Sequence, residues 1–300
     1  MSYIDLFTVR PLSLSFFHSE DSANADVYLL GVPFDSTTSY RPGTRFGPNS
    51  IREALVNIEL NSILNGRSLE DVKINDLGNM KSTTNPDVMI DTLGKVIGEV
   101  VSRGRLIGVL GGEHLLTLAS YNSIKADRDH GGSDVMMVVF DAHLDLRDEF
   151  NDCKLNHATY LHRIVEGNGD DGSNVLHVGA RGYSKDELEY ARSTKVNIIY
   201  AKDVLLDYSN AMYRFKDITS SYEHFYISID LDGIDPAYAK GVGTPEPFGL
   251  TPMHMLGFLS SLSGKRLKGF DIVELCPPYD DGSTAVLAAK LMLELILLNH

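Results

Sequence analysis

The chain has 300 residues, with 41 acidic and 27 basic side chains and a formal net charge of −14. That balance excludes binders of nucleic acid backbones and of anionic membrane faces, which need clustered Lys and Arg. It suits a cationic ligand or metal ions held by carboxylates. Hydrophobic content of 43% is ordinary globular usage, and two cysteines, Cys153 and Cys276, exclude a disulfide framework and a four-thiolate zinc site.

Met1–Phe7 carries no basic stretch ahead of an apolar run, so it does not read as a secretory signal. No apolar run approaches the roughly 18–20 residues of a membrane span. A cytoplasmic, reducing setting is expected. Composition is even and free of repeats, which predicts one domain over residues 1–300.

The predicted elements alternate. Short apolar runs read as strands at Val27–Val32, Val72–Asn75, Leu106–Leu110, Val135–Phe140, Val175–Gly179, Val196–Tyr200, Phe225–Ile229 and Lys268–Val273. Helical periods fall at Asn49–Asn61, Pro86–Arg103, His114–Ala126, Lys185–Ser193, Met253–Ser263 and Ser283–Leu298. Gly47-Pro48 and Thr251-Pro252 mark two helix starts, because proline at the first turn lacks only an N–H that has no partner there. Alternation of this kind predicts an α/β fold, a parallel sheet with helices on both faces. About eight strands can close as a barrel or lie open. Both arrangements put chemistry at the C-terminal ends of strands.

Three strand ends carry it. Val135–Phe140 runs into Asp141-Ala142-His143-Leu144-Asp145, whose polar residues alternate and share one side of an extended chain. Phe225–Ile229 runs into Asp230-Leu231-Asp232-Gly233-Ile234-Asp235-Pro236, with Asp230 and Asp232 on one face and Asp235 shaping the turn. Leu106–Leu110 leads through Gly111-Gly112-Glu113 to His114. Together the ends offer His114, Asp141, His143, Asp145, Asp230 and Asp232. Two imidazoles and four carboxylates exceed the needs of one zinc and suit a pair of divalent ions bridged by carboxylates. The oxygen-rich set favours Mn²⁺.

These three motifs, in this order, resemble the signatures of the ureohydrolases, the family of arginase, agmatinase, guanidinobutyrase and formimidoylglutamase. The resemblance runs from about Gly31 to Asp280 and continues through Gly243-Thr244-Pro245-Glu246-Pro247. It implies an open eight-stranded parallel sheet in one domain, the arginase/deacetylase-like fold. It implies two Mn²⁺ held by the six residues above, and a homo-oligomer, trimer or hexamer. By the same resemblance Asp145 also guides the nucleophile. Glu274 pairs the guanidinium of a small cationic substrate, as a carboxylate can through two parallel hydrogen bonds. His157 protonates the departing amine or shuttles a proton. Two positions depart from the family pattern: Ala158 stands where glycine usually follows the loop histidine, and Leu115 where serine often follows the first metal histidine. The zinc deacetylases share the fold but lack the paired aspartate motifs.

Cys153 and Leu155 stand where arginases place polar groups for an α-amino acid. Gly31–Asp35, Arg41–Pro48 and Val178–Gly182 resemble agmatinase, with Arg41, Arg45 and Arg181 read as residues that fix loops. Agmatine, cleaved to putrescine and urea, is the expected substrate. A guanidino acid would call for a cation at its carboxylate, and no motif residue stands out for that. Guanidinobutyrase, arginase or formimidoylglutamase activity and a non-catalytic metal-binding paralogue are the alternatives. Cys153 and Cys276 read as packing residues. His18, His130, His177, His224, His254 and His300 fall in no motif and read as ordinary.

Overall fold

Successive residues of each central strand alternate between two apolar cores. Val27 and Leu29 join one, Tyr28, Leu30 and Val32 the other. This is why the strands read as continuous apolar runs. The computed structural model describes residues 2–9, 25–131, 134–167 and 171–298. Among them, nine strands form one sheet: β1 (Thr8–Val9), β2 (Val27–Val32), β3 (Ile74–Met80), β4 (Leu106–Gly111), β5 (Val135–Phe140), β6 (Val175–Ala180), β7 (Asn197–Tyr200), β8 (His224–Asp230) and β9 (Arg266–Val273). Their order is β1-β3-β2-β4-β9-β8-β5-β6-β7. β1 is antiparallel, and every other pairing is parallel. The sheet is open, which settles the barrel alternative, and a two-residue edge strand adds to the eight expected.

Helices cover both faces. α2 (Gly47–Leu55), α9 (Pro252–Ser260) and α10 (Ser283–Leu298) pack with α8 (Tyr208–Thr219) on one. α3 (Pro86–Val101), α4 (Leu116–Ala126) and α5 (Tyr160–Gly167) pack with α6 (Lys185–Ser193) on the other. Short α1 (Tyr3–Phe7) and α7 (Ala201–Leu206) complete the set. No described helix is long and apolar enough to cross a membrane.

The differences from sequence expectation have local causes. β3 runs from Ile74 to Met80, beyond the expected Val72–Asn75, although Asn75, Asp76 and Asn79 are polar. Buried Arg52 of α2 compensates Asp76 and Asn79, donating from Nε and Nη2 to Asp76 at 2.8 and 2.7 Å and from Nη1 to Asn79 at 2.5 Å. α2 stops at Leu55, short of Asn61. α1, α5, α7 and α8 fall outside the expected helices. α8 buries only Ala211, Phe215 and Thr219, one thin stripe at four-residue spacing.

Candidate active site

β4, β9, β8 and β5 are neighbours, and their C-terminal ends meet where the chain crosses from one half of the sheet to the other. Open α/β sheets form a crevice at such a point. Gly112 is essential to this end, because a Cβ there would lie 1.9 Å from the Phe34 carbonyl oxygen. Its N–H bonds Val32 O at 2.9 Å and the Glu113 N–H bonds Phe34 O at 2.8 Å, zipping the loop after β2 against the loop after β4.

Two triads occupy the crevice. One is His114, Asp141 and Asp145, the other Asp141, His143 and Asp232; within each, ligating atoms lie within 4.8 Å of one another. Asp141 belongs to both. His114 Nδ1 lies 3.0 Å from Asp141 Oδ2 and 3.1 Å from Asp230 Oδ2, and His143 Nδ1 lies 3.1 Å from Asp232 Oδ2. Asp230 therefore faces the first triad without belonging to it by that distance. The extended reading of 141–145 is corrected here. The segment leaves the strand as an irregular loop, and Asp145 takes a left-handed φ of 50°. A bent chain, and not alternation alone, brings its three side chains together.

The donor set fits divalent cations. His114 Nδ1 and Asp141 Oδ2 are buried atoms that face each other without a hydrogen bond. Burial pushes the Asp145 and Asp230 carboxyls well above the usual range, with neighbouring Asp141 and Asp232 adding to it. Burial opposes charge on His114, yet Asp141 and Asp145 outweigh it and raise the imidazole to about 9. A cluster this short of positive charge is stabilised by bound cations.

Surrounding groups fix the cluster. The His114 ring stacks on Tyr160 at 4.1 Å, and its Nε2 meets Ser228 Oγ at 2.9 Å. Ser228 donates to Asp271 at 2.6 Å, and Tyr226 and Thr117 donate to the same buried carboxylate at 2.5 and 2.8 Å. His177 Nε2 donates to the His143 carbonyl at 2.6 Å, so this histidine supports the loop and is not ordinary. Asp232 accepts from Thr244 Oγ1 at 2.9 Å. Arg181 donates to the carbonyls of Asp232, Gly233 and Glu246, and Arg45 pairs with Asp35 at 2.5 Å. Both arginines fix loops. Asp235 shapes its turn, accepting from Ala237 and Gly249 N–H groups.

A cavity of about 240 Å³ opens over the cluster, lined by His114, His143, Asp145, Asp230, Asp232, Glu274 and His157. Asp141 is fully buried against them. Glu274 follows β9 with a left-handed φ of 63° and accepts the His114 N–H at 2.9 Å. Burial, with Glu113 nearby, pushes its carboxyl up to about 8. Burial pushes the His157 imidazole down to about 4. The mouth adds residues that the motifs did not reveal. Arg147 stacks over Phe150 at 5.0 Å and has Nε 3.5 Å from buried Glu187. Glu187 also accepts from Leu146 and Ser184 N–H groups. Glu246 is partly exposed, its nearest cationic atom being His143 Nε2 at 3.9 Å.

Asp271 carried a readable signal, a charge inside a buried strand. Glu113 lies within the Gly111–His114 motif, which points to no role for it. Arg147 and Glu187 carried none. Cys276 is buried and Cys153 contacts Leu155 O, as packing residues do. His18 and His300 lie outside the described residues.

Comparison with known proteins bears directly on this arrangement. The chain is 35% identical over 295 residues to an agmatinase of Pyrococcus horikoshii, covering 97% of this chain and 98% of that one. It is 33% identical over 287 residues to a guanidinopropionase of Pseudomonas aeruginosa, covering 93% and 88%. The crystal structure of an agmatine ureohydrolase of Thermoplasma volcanium superposes with a TM-score of 0.86 at 35% identity, covering 98% and 96%. Residues 25–298 match the model of the arginase family, and with the paired triads at its strand ends the chain belongs to that family.

Proposed function

We propose that the protein is a binuclear manganese hydrolase that cleaves the guanidinium group of agmatine to putrescine and urea. The observation that carries this reading is the pair of triads sharing Asp141, with the Glu274 carboxylate at the adjacent strand end. His114, Asp141, Asp145 and Asp230 would hold one ion, and His143, Asp141, Asp230 and Asp232 the other. When bound, two divalent cations supply a water acidic enough to lose a proton near neutral pH.

The chain's own residues do the rest. Glu274 binds the planar guanidinium through parallel hydrogen bonds and turns its carbon toward the cluster. Neutralising that buried carboxylate removes the electrostatic cost that its raised pKa reflects. Asp145 accepts a hydrogen bond from the attacking water and orients it. The water oxygen bonds to the guanidinium carbon, and the bond from that carbon to the alkyl nitrogen breaks. The departing nitrogen needs a proton, and His157 supplies it. Burial keeps the His157 ring neutral at rest, so it takes the water's proton before passing it on.

Charge at the mouth supports agmatine. Arg147 already faces Glu187 and stacks on Phe150, whereas Glu246 presents a partly exposed carboxylate whose nearest cationic atom among the described residues, His143 Nε2, lies 3.9 Å away. The substrate's distal ammonium complements it. Arg147 also favours a second reading, a guanidino acid, because it supplies the cation at the mouth that no motif revealed. The test is turnover by Mn²⁺-loaded protein on agmatine, guanidinobutyrate, arginine and formimidoylglutamate, with urea and formamide measured separately. Urea from agmatine at the highest kcat/KM is expected. Preference for guanidinobutyrate establishes the second reading, and no urea from agmatine overturns the first.

A further inference from the structure

The first turn of α5 lies against the cluster. A capping box between Asn156 and Thr159 sets where it begins, so Tyr160 is the first residue of the helix and His162 the third. Tyr160 is fully buried, and its ring lies face to face with the His114 ring, with centroids 4.1 Å apart and planes 25° from parallel. The buried Tyr160 hydroxyl makes no hydrogen bond among the described residues, so what this side chain offers His114 is its ring. Leu115, apolar where the family often has serine, packs in the same core as Tyr160. His162 holds the other loop of the cluster. Its backbone N–H donates to Asp145 O at 3.2 Å, and its Nδ1 lies 2.9 Å from Leu146 O, a carbonyl that can only accept.

Both contacts fix something that ligation needs fixed. Ser228 meets His114 at Nε2, close to the axis about which the ring turns, and so restrains that rotation weakly. Nδ1, which faces the carboxylates, lies farther from the axis and swings more. A parallel ring against the imidazole face blocks the swing. Asp145 is a non-glycine residue at φ 50°, a conformation that costs free energy and persists only where neighbours hold it. The two bonds from His162 hold the chain at that residue and the next. His114 and Asp145 belong with Asp141 to the first triad, whereas His143 and Asp232 complete the second. Neither Tyr160 nor His162 hydrogen-bonds or stacks on His143 or Asp232 among the described residues. Those two are held instead by His177 and Thr244.

We infer that Tyr160 and His162 are positioning residues for the first triad, so that the first turn of α5 sets the affinity for one ion of the pair and leaves the other nearly unchanged. The inference deepens the proposed function and rests on its binuclear site. It adds that the two halves of that site are held by different parts of the fold. Outer partners that orient a ligand are worth a sizeable part of metal affinity, and here they divide between α5 on one side and the loops of His177 and Thr244 on the other.

Anomalous diffraction from crystals grown at limiting Mn²⁺ reads each ion separately, and calorimetric titration of the full chain reads the affinities. Tyr160→Leu should weaken the ion beside His114 and Asp145 by roughly 10–100-fold and leave the ion beside His143 and Asp232 at its wild-type occupancy. Tyr160→Phe keeps the ring and should bind both ions as the wild type does. His162→Phe can keep the stack on Tyr190, now at 3.9 Å, but gives up the bond to Leu146 O, and it should weaken the same ion. The ion beside His143 is the internal control, because a variant that unfolds loses both. Should Tyr160→Leu fail to fold, His162→Phe decides. Equal weakening of both ions in a folded variant, or wild-type affinity for both in Tyr160→Leu, overturns the inference. So does loss of the first ion in Tyr160→Phe, which would put the effect in the hydroxyl. A wild-type chain that never takes a second ion overturns the binuclear site itself, and that result is read before any variant is made.

Discussion

The floor and the mouth of the cavity are built differently. The floor consists of residues at the ends of β4, β5, β8 and β9, buried except for half-buried His143; Asp141, Asp230, Asp232 and Glu274 accept backbone N–H groups, and His114 reaches Asp271 through Ser228. The mouth consists of loop residues, Ser39, Arg147, Phe150, His157 and Glu246, with Ser39 exposed and Glu246 partly exposed. On the proposed function, the sheet would fix the chemistry and the loops would read the remainder of the substrate. Substitutions in the floor should therefore disturb metal content and chemistry, and those in the mouth, His157 apart, should change only the choice among guanidines.

Asp141→Ala breaks both triads at once. Bound metal should fall to at most one ion per chain by elemental analysis, and urea release by more than roughly 10³-fold. Glu274→Gln removes the charge that pairs the guanidinium while sparing the triads. It should lower kcat/KM by roughly 10²–10³-fold, about 3–4 kcal/mol, with two ions still bound. Loss of metal in this variant would mean that the floor is not divided as described. Asp271→Asn weakens the support of His114 through Ser228. Metal affinity should drop roughly 10–100-fold in a chelator competition, with turnover recovered at saturating Mn²⁺. At the mouth, Glu246→Gln should raise KM for agmatine by only about 2–5-fold, since a partly exposed ion pair contributes little. Unchanged metal content and an unchanged KM for a guanidine with an uncharged tail would sharpen the division, and a metal-content change would break it.

The same division decides what the sequence revealed. The candidate ligands of the floor follow apolar strands within unbroken motifs, so Asp141, His143, Asp145, Asp230 and Asp232 were legible from alternation and burial together. Glu274 and His157 needed the family resemblance, because a single carboxylate or imidazole near a strand end has many uses. Arg147 faces Glu187, which lies forty residues on and was hidden inside a helix-capping sequence, Ser184 to Glu187. Glu113 meets Thr37 across the gap between β2 and β4, which only folding closes. The polar half of β3 was unreadable for the same reason, since its compensation is Arg52 of α2. Pairings between distant segments leave no local pattern.

On the proposed function, the two triads act as one binuclear site. Calorimetric titration of Mn²⁺ into metal-stripped protein, with urea release from agmatine followed in the same samples, tests it most directly. The account predicts saturation at two ions per chain, with turnover appearing as the second ion binds. Saturation at one ion with full turnover would contradict it.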